Sequence, residues 1–380
     1  MKFIIDRNEF TNAIQDVIKA ISSRAVIPIL SGIKIEAKQD GIYLTGSNSD
    51  ISIERFIPLE DEENKYITIM ETGSIVLQAR FFSEIVRKLP SETVEISVND
   101  DLVATIVSGR AEFSLNGLSA EEYPKLPNID DHRFFEIEAQ ALKNLIKQTV
   151  FAVSVSETRP VLTGVNWQYE EHKLQCVATD SHRLALRHVK IEKSSDELRF
   201  SNVIVPGKSL NELAKIIENQ SDPVQVVVTE HYILFKAKHV LFYSRLLEGN
   251  YPEVSKLIPT DSTTSIVVET KPFLQAMERA SLLARENNNN VVKLSGNADL
   301  KLEISSFSPE IGKIVEEIDA ETYEGEELTI SFNAKYMLDA LRAIDSETII
   351  IDFNGSMRPF LLRPIDDSSM LQLILPIRTY

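Results

Sequence analysis

One apolar spacing that occurs three times constrains this chain more than any other feature. Phe10, Ala13, Ile14, Val17, Ile18 and Ile21 stand at offsets of 0, 3, 4, 7, 8 and 11, the spacing of one face of a helix lying on a sheet. The same offsets recur at Leu142, Leu145, Ile146, Thr149, Val150 and Val153, and again at Phe273, Ala276, Met277, Ala280, Ser281 and Ala284, with starts 132 and 131 residues apart. Each stripe follows a short alternating strand: Lys2 to Asp6, Phe134 to Glu138 and Ser265 to Glu269. A fixed long period means one structural unit used repeatedly.

A second, shorter stripe completes each third. It runs Phe82, Ile85, Val86, Leu89, then Leu210, Leu213, Ala214, Ile217, then Met337, Ala340, Leu341, Ile344, with starts 128 and 127 residues apart. Strands at Ser74 to Leu77, Asn202 to Val205 and Leu328 to Ser331 precede these stripes. β-branched alternating segments such as Ile33 to Ala37, Thr93 to Val98, Gln225 to Thr229 and Thr348 to Phe353 fill the intervals. The pattern predicts an α+β protein of three like domains, each with two helices packed on antiparallel sheets. Aromatic-proline turns at Glu122 to Pro127 and Asn250 to Pro259 favour extended linkers. They set expected domains at 1–128, 129–259 and 260–380.

Charge is segregated along this repeat. The formal net charge is −17, which by itself argues against nucleic acid, since phosphate binding needs basic surface. The six helical segments, taken as 7–24, 80–89, 140–153, 207–219, 271–285 and 333–344, nevertheless sum to +8 and leave −25 for the rest. None of the six is net negative. A single helix with two lysines is an ordinary solvated face; six in an acidic chain predict a shared polyanion-facing surface. Lys143 and Lys147, four residues apart, lie off the apolar stripe of their helix. No aromatic or Asn/Gln cluster accompanies the cations to read base edges, so contact with nucleic acid is expected to be loose and phosphate-directed.

Catalytic signals are weak. The chain carries no phosphate-binding glycine loop, no G-x-G-x-x-G, no H-E-x-x-H and no G-x-S-x-G. Thr179-Asp180-Ser181-His182-Arg183 reads as a turn whose polar side chains bond their own backbone, because adjacent residues seldom converge on one substrate atom. His172, His188, His231 and His239 are scattered, and a metal site is not expected. Cys176, the one cysteine, sits in an apolar-alternating stretch and reads as a small buried hydrophobe. Acidic runs at Glu60 to Glu63 and Glu324 to Glu327 read as solvated loops. No apolar run approaches the ~18 residues of a membrane helix, and the start Met1 to Asp6 lacks a signal-peptide pattern. A cytoplasmic protein without a cofactor is expected.

Several motifs go further. Thr179-Asp180-Ser181-His182-Arg183-Leu184-Ala185, Glu248-Gly249-Asn250-Tyr251-Pro252, Met357-Arg358-Pro359-Phe360 and the terminal Leu375-Pro376-Ile377-Arg378, together with the threefold repeat, resemble the β-subunit family of bacterial DNA polymerase III, the DNA sliding clamps. The resemblance covers the whole chain, with Ser181 standing where many members carry glycine. It implies a head-to-tail homodimer closing into a ring, helices lining a channel for double-stranded DNA, and sheets outside. Such a ring holds DNA topologically and tethers a replicative polymerase without doing chemistry.

The resemblance also implies sites. A partner-peptide pocket would draw on Leu162, Thr179, Ser181, His182, Arg183 and Leu184, on Pro252 and Leu257, on Met357, Pro359 and Phe360, and on Leu373, Leu375, Pro376 and Ile377. Replicative polymerase, clamp loader and other proteins with a clamp-binding motif would share it. Leu373 to Ile377 reads equally as a core strand ending the chain, and a pocket wall can be both. The ring joint would use Phe113 against Leu282 and Leu283 of another protomer. Arg24, Arg159 and Lys208 resemble family positions facing DNA. Arg80, Lys88, Lys143, Lys147, Lys215, Arg279 and Arg342 join them as cations of the helical segments. Two other classes remain open on the residues alone: a nucleic-acid enzyme whose acidic loops bind metal, and an acidic repeat scaffold that never meets DNA.

Overall fold

The computed structural model describes residues 1–22, 27–129, 132–217, 222–285 and 290–378. Among the described residues six α-helices appear where the two stripes predict them: α1 Arg7–Val17, α2 Ala79–Arg87, α3 Ala139–Thr149, α4 Gly207–Ile216, α5 Thr270–Ala284 and α6 Ala334–Ala343. Each follows a strand, directly in five cases and after Glu138 in α3. The Asp6 carboxylate accepts from the Glu9 amide at 2.8 Å and caps α1, and the Asn333 side chain caps α6 through Lys335 at 2.9 Å. The first amide of α1, at Arg7, donates to Glu92 at 2.7 Å, and that of α5, at Thr270, donates to Glu347 at 2.8 Å. The strand-to-helix corner is therefore built alike in the first and third repeats.

Two stripes end differently from the expectation. The last positions of the first pass into a 3₁₀ turn at Ile18–Ala20, and those of the second into one at Val150–Ala152. Val17-Ile18 and Thr149-Val150 are β-branched pairs that crowd the preceding turn. Thr149 Oγ1 also donates back to the Leu145 carbonyl at 2.7 Å. The third stripe has Ala280, Ser281 and Ala284 at those positions and stays α-helical for 15 residues.

The chain gathers into two compact units. One comprises 1–140, 193–196 and 212–246, the other 141–192, 197–211 and 247–380. The first holds a five-stranded and a nine-stranded antiparallel sheet, the second a nine-stranded and a four-stranded one. Both large sheets cross repeat boundaries: Val240–Arg245 pairs with Ile51–Pro58 in the first unit, and Arg183–Lys190 with Met370–Ile374 in the second. Strands that would otherwise be open edges of their own repeat are thereby covered. In the first unit Phe3, Phe10 and Phe82 are fully buried and meet edge to face, with ring centroids 6.2 and 5.7 Å apart. In the second, Phe332, Phe353 and Phe360 are fully buried at 5.3 and 5.0 Å. Cys176 is buried, and burial pushes its thiol well above its ordinary range, away from the reactive thiolate. Of the acidic runs, Glu324 lies in a strand, Thr322–Gly325, opposite Ser265, rather than in a loop.

Candidate functional site

The Thr179–Arg183 turn organises the second unit's site. Thr179 Oγ1 donates to the Arg183 carbonyl at 2.6 Å and accepts from the Ser181 amide at 3.1 Å. Asp180 Oδ1 accepts from the amides of His182 and Arg183 at 2.9 and 3.1 Å. The polar side chains thus saturate their own backbone, as expected for a turn. Ser181 has φ +79°, a left-handed conformation that favours glycine, and its hydroxyl accepts from Arg159 at 3.1 Å.

Arg183 closes the turn from within. It is buried, bonds Asp180 at 3.0 Å and Asp339 at 2.6 Å, and donates to the Phe151 carbonyl at 2.6 Å. The Tyr336 ring lies 4.6 Å from its guanidinium carbon. A planar donor fork suits this convergence of two carboxylates, a carbonyl and a ring. Its partner Asp339, on α6, also holds Lys335 at 2.5 Å. His182 is exposed, and its carbonyl accepts from the Leu375 amide at 2.9 Å.

Above the turn lies an apolar cluster. Leu162, Leu184 and Leu373 are buried in it with Val177, Ile204, Tyr251, Val254 and Leu361, and Leu375 packs on its margin. Tyr251 Oη accepts from the Thr179 amide at 2.9 Å, tying the second aromatic-proline junction to the turn. Leu257, 56% exposed, stands between Val254 and Ile258, which both join the cluster. Pro252 and Met357 are exposed and Pro359 is half-buried. Pro376 bridges to Phe332, and the Ile377 amide donates to the Ser331 carbonyl at 2.7 Å, so the terminal segment is itself paired. Phe360 does not join the cluster. It is fully buried against Phe353, while its neighbour Leu361, directly opposite Leu373, takes the cluster position. Strand alternation sends successive side chains to opposite faces; that signal was legible, whereas the pairing of Arg183 with Asp339, 156 residues away, had none.

The cationic residues are mostly pre-paired. Lys147 holds Asp345 at 2.6 Å, Arg342 holds Glu278 at 2.8 Å, Lys215 holds Glu212 at 2.8 Å and Lys88 holds Glu84 at 3.4 Å. Arg279 grips Glu316 with both arms of its guanidinium, and this bonding holds the Glu316 carboxyl below its ordinary range. Arg80 lies over the Phe81 ring at 5.8 Å, and Lys143 is half-buried. Lys208 is 95% exposed, with Glu157 at 3.8 Å. Many of the cations expected to face a polyanion thus share their charge with a neighbouring carboxylate. Arg24 lies outside the described residues.

Phe113 sits on Ala111–Asn116, an edge strand of the five-stranded sheet, and is 39% exposed. Leu282, at the end of α5, is 63% exposed, and Leu283 is half-buried. In the four-stranded sheet Gly312–Asp319 is an edge strand carrying the exposed Val315. Among the described residues no group of three His, Cys, Asp or Glu side chains could hold a metal ion. No helix among them is long and apolar enough to cross a membrane.

Comparison with known proteins adds a whole-chain likeness. Family models of the DNA polymerase III beta subunit match in tandem: the N-terminal domain over residues 1–127, the central domain over 136–253 and the C-terminal domain over 255–378. The chain is 59% identical over 380 residues to a beta sliding clamp of Bacillus subtilis (strain 168) and 53% identical to one of Halalkalibacterium halodurans, covering all of both chains in each case. The crystal structure of a Bacillus subtilis sliding clamp superposes with a TM-score of 0.97 at 59% identity. A beta chain from Streptococcus pneumoniae superposes at 0.94 with 40% identity, again over all of both chains.

Proposed function

This chain belongs to the beta-subunit family of bacterial DNA polymerase III, the sliding clamps, and from that membership we propose how its own residues carry the work of a clamp. It is a DNA sliding clamp of three clamp domains, a non-catalytic processivity factor. The single observation that carries this is the match of all three family domains, in order, along the full length of the chain.

Two protomers close head to tail into a ring around duplex DNA. Supporting this, each protomer offers two different open edges with exposed apolar residues: the Phe113 strand, and the Leu282 and Leu283 end of α5 with the edge strand bearing Val315. Joining unlike surfaces head to tail gives a ring where the rotation from copy to copy closes, and in this reading it closes after two copies. We set the domain boundaries at 1–128, 129–259 and 260–380, in the cytoplasm.

The duplex meets Arg24, Arg80, Lys88, Lys143, Lys147, Arg159, Lys208, Lys215, Arg279 and Arg342. Because Lys147, Arg279 and Arg342 already hold carboxylates, a phosphate must compete with an internal partner for each. Few counterions are then released on binding and affinity stays low. A ring that is closed around DNA needs no affinity, and weak exchangeable contacts let it move. Polymerase, clamp loader and other partners dock an aliphatic and aromatic peptide on the Leu162, Leu184, Leu373 and Leu375 cluster beside the Thr179–Arg183 turn, with the anchors supplying most of the binding energy. The test is retention: clamp loaded on nicked circular DNA should stay bound and be lost when the circle is linearised. Equal loss from both would refute encirclement.

A further inference from the structure

The face that carries the apolar cluster continues beyond it. Along Arg183–Lys190, the side chains of Leu184, Leu186, His188 and Lys190 share one side of the sheet, opposite Thr179, Val177, Gln175 and Lys173 on the next strand. Leu184, Leu186 and Val177 belong to the cluster or pack against it. The next row is Gln175 with His188, and the last is Lys173 with Lys190. The surface thus passes from apolar to cationic within four residues of Leu186, roughly 14 Å at ~3.4 Å per residue.

Two features of the far end have no internal explanation. Lysines directly opposite one another on antiparallel strands repel, and neither Lys173 nor Lys190 has an ion-pair partner among the described residues. His188 Nδ1 is buried without a hydrogen-bond partner, a costly state for a ring nitrogen. At the strand ends Lys173, His188 and Lys190 also border a cavity of about 540 Å³, which Arg187 and Val189 line from the other face and in which Glu171 is the one carboxylate among the lining side chains.

We infer that this face is an extension of the docking cleft, and that it takes an acidic segment flanking the apolar anchors of a partner's peptide. The inference rests on the proposed cleft at Leu162, Leu184 and Leu373. Carboxylates laid along the strand would relieve the Lys173–Lys190 repulsion. An extended peptide advances at the same ~3.4 Å per residue as the rows beneath it, so a segment of four residues spans from the apolar anchors to the lysines. Anchors then supply affinity for partners in general, and the flank ranks them.

The test uses the full-length protein and synthetic peptides of one apolar docking core, carrying four Glu or four Gln at either end. Calorimetry at low salt should find one Glu-flanked peptide bound about tenfold more tightly than its Gln counterpart, with the gain lost at high salt. K173E/K190E should abolish that gain and leave the Gln-flanked peptides unchanged; K173Q/K190Q, which reverses no charge, should reduce it. Equal affinity of Glu and Gln peptides, or a gain that survives in K173E/K190E, overturns the extension while leaving the cleft intact. Failure of every peptide to bind overturns the cleft and the extension with it. Inorganic phosphate that binds the wild type and not K173E/K190E, with no Glu-peptide preference, would assign the cavity to a free anion and refute the peptide.

Discussion

Replacing Arg183 by Met tests whether the docking turn is held by a buried charge network or by the apolar cluster above it. Met matches the length of the arginine stem but removes four contacts: Asp180 at 3.0 Å, Asp339 at 2.6 Å, the Phe151 carbonyl at 2.6 Å and the Tyr336 ring at 4.6 Å. Breaking a buried pair from one side costs about 3–5 kcal/mol because the remaining charge is stranded. Asp339 keeps Lys335 at 2.5 Å, and Asp180 keeps two backbone amides, so the lower end, about 3 kcal/mol, is expected. In a unit of this size that lowers Tm by about 6–12 °C. The two units need not unfold together, so calorimetry should find the loss confined to one transition. Peptide affinity should fall too, since Arg183 anchors the turn whose His182 carbonyl holds the Leu375 amide. A double-mutant cycle with Asp339→Asn isolates the pair. A Tm within 2 °C of wild type, or Arg183→Met and Asp339→Asn effects that simply add, would refute the network as the anchor.

Three further outcomes follow from the same contacts. Leu282→Asp places a charge in the proposed ring joint and should weaken dimerisation by about 3 kcal/mol or more; light scattering that still finds only dimer at low concentration would contradict that joint. Removing residues 375–380 deletes Leu375 from the cluster margin and the Leu375 and Ile377 backbone bonds. It should abolish peptide binding in calorimetry while leaving the dimer intact, and undiminished peptide affinity would move the docking site elsewhere. The folded chain holds the His188 imidazole down at about 4 against an ordinary 6.5, through burial and then the nearby Lys173 and Arg187 charges. The unfolded chain therefore binds the extra proton between those values, and stability falls as pH drops from about 6.5 towards 4. His188→Gln should flatten that part of the Tm–pH curve, and an identical curve would show that His188 does not contribute.

The elements were legible in the sequence because what makes a helix or a strand here is local. Apolar residues three and four apart placed all six helices, and alternation placed strands such as Lys2–Asp6, Thr93–Val98 and Thr348–Phe353. The turn chemistry of Thr179 to Arg183 was equally local, since its side chains reach only their own backbone. The residues brought to the apolar cluster came partly from motif resemblance, and Leu162, Leu184, Leu373 and Leu375 meet there.

What the sequence by itself determined, then, is the repeating unit, the polar satisfaction of the turn and the segregation of charge between helices and the rest. Only the tertiary structure decided which partners those residues meet. Both large sheets run across repeat boundaries because an edge strand of one repeat finds its cover in the next. Phe360 turns to the core and Leu361 to the cluster because register with Leu373 sets the face. Arg183 is buried because Asp339, 156 residues along the chain, is brought to it, Lys147 and Arg279 give their charge to Asp345 and Glu316, which the count had placed outside the helices, and Arg342 gives its charge to Glu278 of another helix. Periodicity acts over a few residues and is written in them, whereas the pairing of distant charges and strand faces depends on chain closure, which no short stretch of sequence contains.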